Sequence, residues 1–136
     1  MEMFTKIRDF FSKSMESIKE LEKELSILQS KFSSGFVSII GYGGRLKGLP
    51  LIYEKKNEKE IKRLSAKLVE SLSAMESIKN HQSIENFDIR FTEEILFFRK
   101  VTNEVAIIAL LPYGNNINKL KEFVKENLSE IISLFQ

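Results

Sequence analysis

The sequence contains no cysteine, a single histidine and only two prolines in 136 residues. Without cysteine there can be no disulfide, no thiolate nucleophile and no zinc site that uses sulfur. His81, in the polar run Asn80-His81-Gln82-Ser83, has no second imidazole with which to complete a metal site or a pair of bases, and it reads as a solvated loop residue. Long apolar runs are missing too. The longest, Val105 to Pro112, falls far short of the ~20 residues that cross a bilayer. The opening MEMFTKIRDFF carries Glu2 and Asp9 and lacks a signal-peptide core. A cytoplasmic protein is expected.

What remains is ordinary for a globular chain: 43% hydrophobic, 29% charged, net charge +2. That length fits one domain able to bury roughly two-thirds of its unfolded surface. From Phe4 to Phe32, apolar residues recur at Phe4, Ile7, Phe11, Ile18, Leu21, Leu25, Leu28 and Phe32, in steps of three and four apart from Ser14. This predicts a helix about 45 Å long, longer than one small core requires. Ser33, Ser34 and Gly35 stop it. Strands are expected at Phe36–Tyr42 and Leu49–Glu54, with Pro50 marking an edge position or a strand start. A helix from Glu58 to Lys79 follows, with a stripe of Ile61, Leu64, Leu68, Leu72, Met75 and Ile78, and with Asn57 as N-cap and Glu60 as its reciprocal partner.

Phe87, Ile89 and Phe91 alternate with Asp88, Arg90 and Thr92, predicting a strand with one dry face. ILFF from Ile95 and VAIIALL from Val105 are apolar on both faces and need cover on both sides. Short polar connectors make these three strands antiparallel neighbours. A last helix carries Ile117, Leu120, Val124, Leu128, Ile131 and Phe135, capped by Asn115 or Asn116. The expected fold is α+β, a five-stranded antiparallel sheet sandwiched by helices in the order αββαβββα.

Five of the six glycines lie in GFVSIIGYGGRLKGLPLI, residues 35 to 52. Gly43 to Gly48 has the glycine spacing of a Walker loop, but Leu49 and Pro50 occupy the Lys and Ser/Thr places. Leu46 stands where a dinucleotide fingerprint needs its third glycine. Both patterns also require a following helix whose amides hold the phosphate, whereas LPLIY leads into a strand. The glycines are better explained by a turn that needs positive φ. No Gly-x-Ser-x-Gly elbow occurs, and the pairs Glu93-Glu94 and Glu58/Glu60 suit a turn and a helix start. No catalytic residue, cofactor or metal is expected, so the chain is read as a non-enzyme.

Charge is unevenly placed. Between Arg45 and Lys67 stand eight basic and three acidic residues. Arg45, Lys47, Lys55, Lys56, Lys59, Lys62 and Arg63 form a candidate patch for an acidic protein or anionic headgroups. A solvated helix face with pairs such as Glu58 and Lys62 explains the same charges equally well. Nucleic acid is not an expected partner, since interleaved aromatics and a recognition helix are lacking. The start of the first helix offers Phe4, Ile7, Phe10 and Phe11 for a partner contact. Its six basic and six acidic residues between Glu2 and Phe32 weaken a membrane-surface role.

The element order, with Gly48-Leu49-Pro50-Leu51-Ile52 opening the second strand after a glycine turn, resembles the roadblock/dynein-light-chain family, of roadblock/longin-like fold. The resemblance spans about residues 18 to 136, leaving 1 to 17 as an extension of the first helix. The basic turn departs from the family, which commonly has an acidic residue and glycine there. The resemblance implies a non-catalytic dimeric module, pairing with itself or a related roadblock chain. Such a module binds or regulates a small Ras-like GTPase, or scaffolds a complex that reaches a membrane surface through a partner. It implies a dimer interface at Ile61, Leu64, Leu68, Leu72 and Met75 of the middle helix and Phe87, Asp88, Ile89, Arg90, Phe91 and Thr92 of the third strand. An edge strand left unpaired is an association site on physical grounds as well. The alternative is a longin-like adaptor or tether of membrane traffic acting through the long helix and the basic patch.

Overall fold

The computed structural model describes residues 2–115 and 117–135, and side chains from residue 16 onward. Along the chain run α1 (Glu2–Ser30), β1 (Phe36–Gly41), β2 (Pro50–Ile52), α2 (Glu58–Ile78), β3 (Asn86–Arg90), β4 (Glu94–Lys100), β5 (Val105–Pro112) and α3 (Ile117–Phe135). Single 3-10 turns occupy Gly44–Leu46 and Lys55–Asn57. The order is the one expected from the sequence. The strands form one sheet, β2-β1-β5-β4-β3, antiparallel at every step.

Strand alternation sorts the apolar side chains of the central strands into two cores. Val37, Ile39, Phe97 and the odd-numbered residues of β5 meet Leu21, Leu25 and Leu28 of α1 and Leu120, Val124 and Ile131 of α3. Phe36, Ile40, Leu96, Phe98, Ala106 and Ile108 meet Ile61, Leu68, Val69 and Leu72 of α2. Thus β4 and β5, dry on both faces, are covered on both sides, by two helices on one and a single helix on the other. Gln29 is buried at the α1 junction. Its Oε1 accepts from the Val37 amide at 3.2 Å and its Nε2 donates to Glu54 at 3.2 Å.

Several local expectations are corrected. The α2 stripe ends early: Met75 and Ile78 are 53% and 78% exposed, while Ser65 and Val69 are buried. Asn57 precedes α2 but makes no side-chain capping bond, and its side-chain Nδ2 is buried without a partner among the described residues. The 3-10 turn draws Asn57 to φ −105 and ψ 6, away from the extended backbone of an N-cap. Asn115, one of the two residues expected to cap α3, makes long-range bonds. Its Oδ1 accepts from the Ser33 amide at 2.9 Å and its Nδ2 donates to the Pro112 carbonyl at 2.9 Å, tying the end of α1 to the end of β5. Asn116 lies outside the described residues. So do the side chains of Phe4, Ile7, Phe10 and Phe11, whose backbone belongs to α1.

The glycine-rich connection turns β1 back into β2, with Pro50 opening the edge strand. Gly44 and Gly48 have φ of 62 and 81. Gly41 serves a different need. Its amide donates to the Leu49 carbonyl at 2.7 Å, and its carbonyl accepts from the Gly48 amide at 2.9 Å. A Cβ there would land on the Leu46 carbonyl oxygen, part of the backbone. Gly41→Ala is therefore expected to lower stability by about 2 kcal/mol, read as a shift of the urea midpoint. A wild-type midpoint would show that the turn is not packed this way.

Candidate interaction surface

β3 is hydrogen-bonded on one side only. The Phe91 amide donates to the Glu94 carbonyl and the Lys100 amide to the Glu85 carbonyl, both at 2.8 Å. Odd-numbered residues of the strand therefore bond inward. By alternation, the amides and carbonyls of Asn86, Asp88 and Arg90 face the open edge. The strand is shorter at its end than the expected Phe87–Thr92, because Phe91 closes the hairpin and its carbonyl accepts from the Tyr113 hydroxyl.

The expected dry face of β3 is only partly dry. Phe87 stacks on Phe98, with centroids 4.8 Å apart and planes at 4°, and packs on the α2-side core. Ile89 stands opposite Leu96 on that face yet is 40% exposed, and Phe91 is 51% exposed. On the other face Asn86, Asp88 and Arg90 are exposed, as is Thr92 beyond the strand. Of the α2 residues assigned to an interface, Ile61, Leu68 and Leu72 are buried in the chain's own core, because they point at the sheet. Leu64 and Met75 keep exposed area. Beside Leu64 a groove of about 420 Å³ runs between α2 and the sheet, floored by Phe36 and Leu110 and rimmed by Arg63, Lys67, Glu60 and Glu94.

The basic residues of the candidate patch are all exposed. Ser65 Oγ donates to the Gly48 carbonyl at 3.2 Å, fastening the turn that carries Arg45 and Lys47 to α2. Lys56 pairs with Glu54 at 3.3 Å and Lys62 with Glu58 at 3.1 Å. Lys62 and the Tyr53 hydroxyl, both bonded to Glu58, hold its carboxyl below the usual range. Among the described residues, Arg45, Lys47, Lys55, Lys59, Arg63 and Lys67 have no such ion pair within 4.0 Å.

One polar cluster escaped sequence reasoning. The Tyr42 hydroxyl donates to Glu76 of α2 at 2.7 Å and accepts from the Ile84 amide at 3.2 Å. Its ring lies 5.5 Å from that of Phe98. It thus pins α2 and the approach to β3 to the end of β1. Burial, reinforced by the Glu76 bond, pushes the Tyr42 phenol up to about 12. The only clue in the sequence is that Tyr42 continues the Phe36, Ile40 face. His81 is exposed at φ 62. Among the described residues no three His, Cys, Asp or Glu side chains come together as a metal site, and no helix is long and apolar enough to cross a membrane. The chemistry on offer is recognition, through an open strand edge, exposed apolar side chains and a basic patch.

In sequence, no protein-family model and no curated protein matches the chain. In structure it is similar to the gliding protein MglB of Thermus thermophilus, at 10% identity and a TM-score of 0.67 over 89% of this chain and 90% of that one. It is also similar to MglB of Myxococcus xanthus, at 9% identity and 0.65 over 85% and 94%. A roadblock/LC7 domain from Streptomyces avermitilis matches at 10% identity and 0.61 over 82% and 97%. The fold is that of roadblock/LC7 domains.

Because the Tyr42 phenol is raised on folding, its contribution to stability is complete below pH 10 and is lost as pH rises toward 12. Tyr42→Phe is expected to cost about 1–2 kcal/mol at neutral pH, leaving Glu76 and the Ile84 amide without their partner. The gap to wild type should narrow between pH 10 and 12 in denaturant titrations. An equal gap at both ends of that window would count against the arrangement.

Proposed function

We propose that this roadblock-fold chain is a non-catalytic homodimeric module that binds a small Ras-like GTPase, as its regulator or as part of a scaffold. The observation that carries this reading is the open β3 edge. A five-residue strand with unpaired amides, with Ile89 and Phe91 exposed along it and at its end, is a surface that gains from being covered. Strand addition at such an edge supplies main-chain bonds and a continuous apolar face. The GTPase partner follows from the roadblock resemblance and is supported by a basic patch suited to an acidic protein surface. On this reading residues 18–136 are the domain, and residues 1–17 extend α1 as a further contact.

The basic patch also favours a second reading, in which unpaired lysines at the turn and on α2 meet anionic lipid as part of a traffic adaptor. Flotation with anionic vesicles tests it, and protein that stays at the bottom of the gradient removes it.

Light scattering at micromolar concentration is expected to give twice the 15.8 kDa chain mass. Immobilised protein should retain a Ras-like GTPase of its host, and more of it in one nucleotide state than in the other. Lys55→Glu, Lys59→Glu and Arg63→Glu together should reduce retention at least tenfold while leaving the mass unchanged. A dimer that retains no GTPase in either state would end the GTPase reading and leave the dimer standing.

A further inference from the structure

We infer that two copies pair through β3 in one register, antiparallel about a two-fold axis at Ile89, and that Asp88 and Arg90 select it. This rests on the homodimer reading above and adds what that reading leaves open, which residues face each other.

Only Asn86, Asp88 and Arg90 turn their backbone groups to the open edge, so these must form the hydrogen-bonded pairs with a second β3. Even-numbered residues then face even-numbered residues, and the axis must pass through a residue rather than between two. Four registers keep the strands substantially overlapped. An axis at residue 88 sets Asp88 against itself, and one at residue 90 sets Arg90 against itself. An axis at 87 places Asp88 opposite Asn86 and leaves Arg90 beyond the partner strand. An axis at 89 sets Asp88 opposite Arg90 twice, once on each side.

Among the described residues neither has a competing ion pair. Asp88 stands opposite Phe97 and Arg90 opposite Ile95 on β4. Lys121 of α3 lines the same groove as Asp88 without forming an ion pair with it. Both side chains are exposed on one face of β3. The same register brings Ile89 against its own copy on the other face and Phe91 beside the partner's Phe87. Opposite charges directly across a strand pair stabilise it, and like charges there oppose it.

Charge exchange tests the register. Asp88→Arg alone, or Arg90→Asp alone, places like charges opposite each other twice and should raise the dimer dissociation constant at least tenfold. Mixing the two variants restores both opposite pairs, so the mixture should dimerise as wild type does, and only as a heterodimer. The rescue also shows that each variant is folded. Cysteine scanning supplies a second readout in a chain without cysteine. Across a non-hydrogen-bonded pair the Cα atoms lie about 4.5 Å apart, within disulfide reach. Oxidation should therefore cross-link Ile89→Cys and leave Asp88→Cys monomeric on a denaturing gel. A wild-type dimer indifferent to both charge variants, a mixture that does not recover, or cross-linking at residue 88 in place of 89 overturns the register alone. A wild-type chain that stays monomeric overturns the dimer and the register with it.

Discussion

Everything in this molecule is arranged around a sheet whose middle strands are apolar on both faces. β5 buries Val105, Ile107, Ala109 and Leu111 on one side and Ala106 and Ile108 on the other, and β1 and β4 repeat the pattern beside it. Such strands cannot face water on either side, so helices must cover both. Five strands at about 4.8 Å spacing span about 19 Å, while packed helices lie roughly 8–10 Å from their neighbours. Two helices suffice for a face and one does not. α1 and α3 pack together over one face. α2 alone serves the other, and its shortfall appears where it should, at Ile89 on the outer strand and Met75 on the helix.

This division explains what the sequence made legible. Period and alternation report which side chains seek cover, so the element order and the fully dry strands could be read directly. They do not report where cover runs out. Met75 and Ile78 continue the spacing of Ile61, Leu68 and Leu72 but remain mostly exposed, and Ile89 alternates correctly on a face left half open. The partition of three helices between two faces is a long-range property, and no local pattern carries it.

The polar contacts that hold the elements in place were hidden for a related reason. Gln29, Tyr42, Ser65 and Asn115 each bond across at least one long sequence separation, to Glu54, Glu76, Gly48 and Ser33. Asn57 reads as a cap because short-range rules weigh only neighbours, and tertiary geometry takes it into a 3-10 turn. Asn115, a candidate cap together with Asn116, is held at the end of α1 by a contact that no local rule weighs. Of the candidate surface, the basic residues were legible because exposure of lysine is the default. The buried half of the expected α2 interface was not, since a helix stripe looks the same whether its cover is the chain's own sheet or another molecule.

The uncovered half face also bears on the proposed dimer. Antiparallel pairing of two β3 strands about an axis normal to the sheet keeps corresponding faces together, so both copies of α2 come to lie on one side of a ten-stranded sheet. The ratio of one α2 to five strands is unchanged, but the two α2 copies then flank the junction on the same face, where the outer strands with their exposed Ile89 meet. The strand edge and the apolar deficit thus call for the same partner in the same orientation. A partner that merely added a strand would leave Met75 and Ile89 in water. One that merely added a helix would leave the amides of Asp88 and Arg90 unpaired within the sheet. A second copy meets both needs at once, which is the physical ground for preferring it as the occupant of this surface.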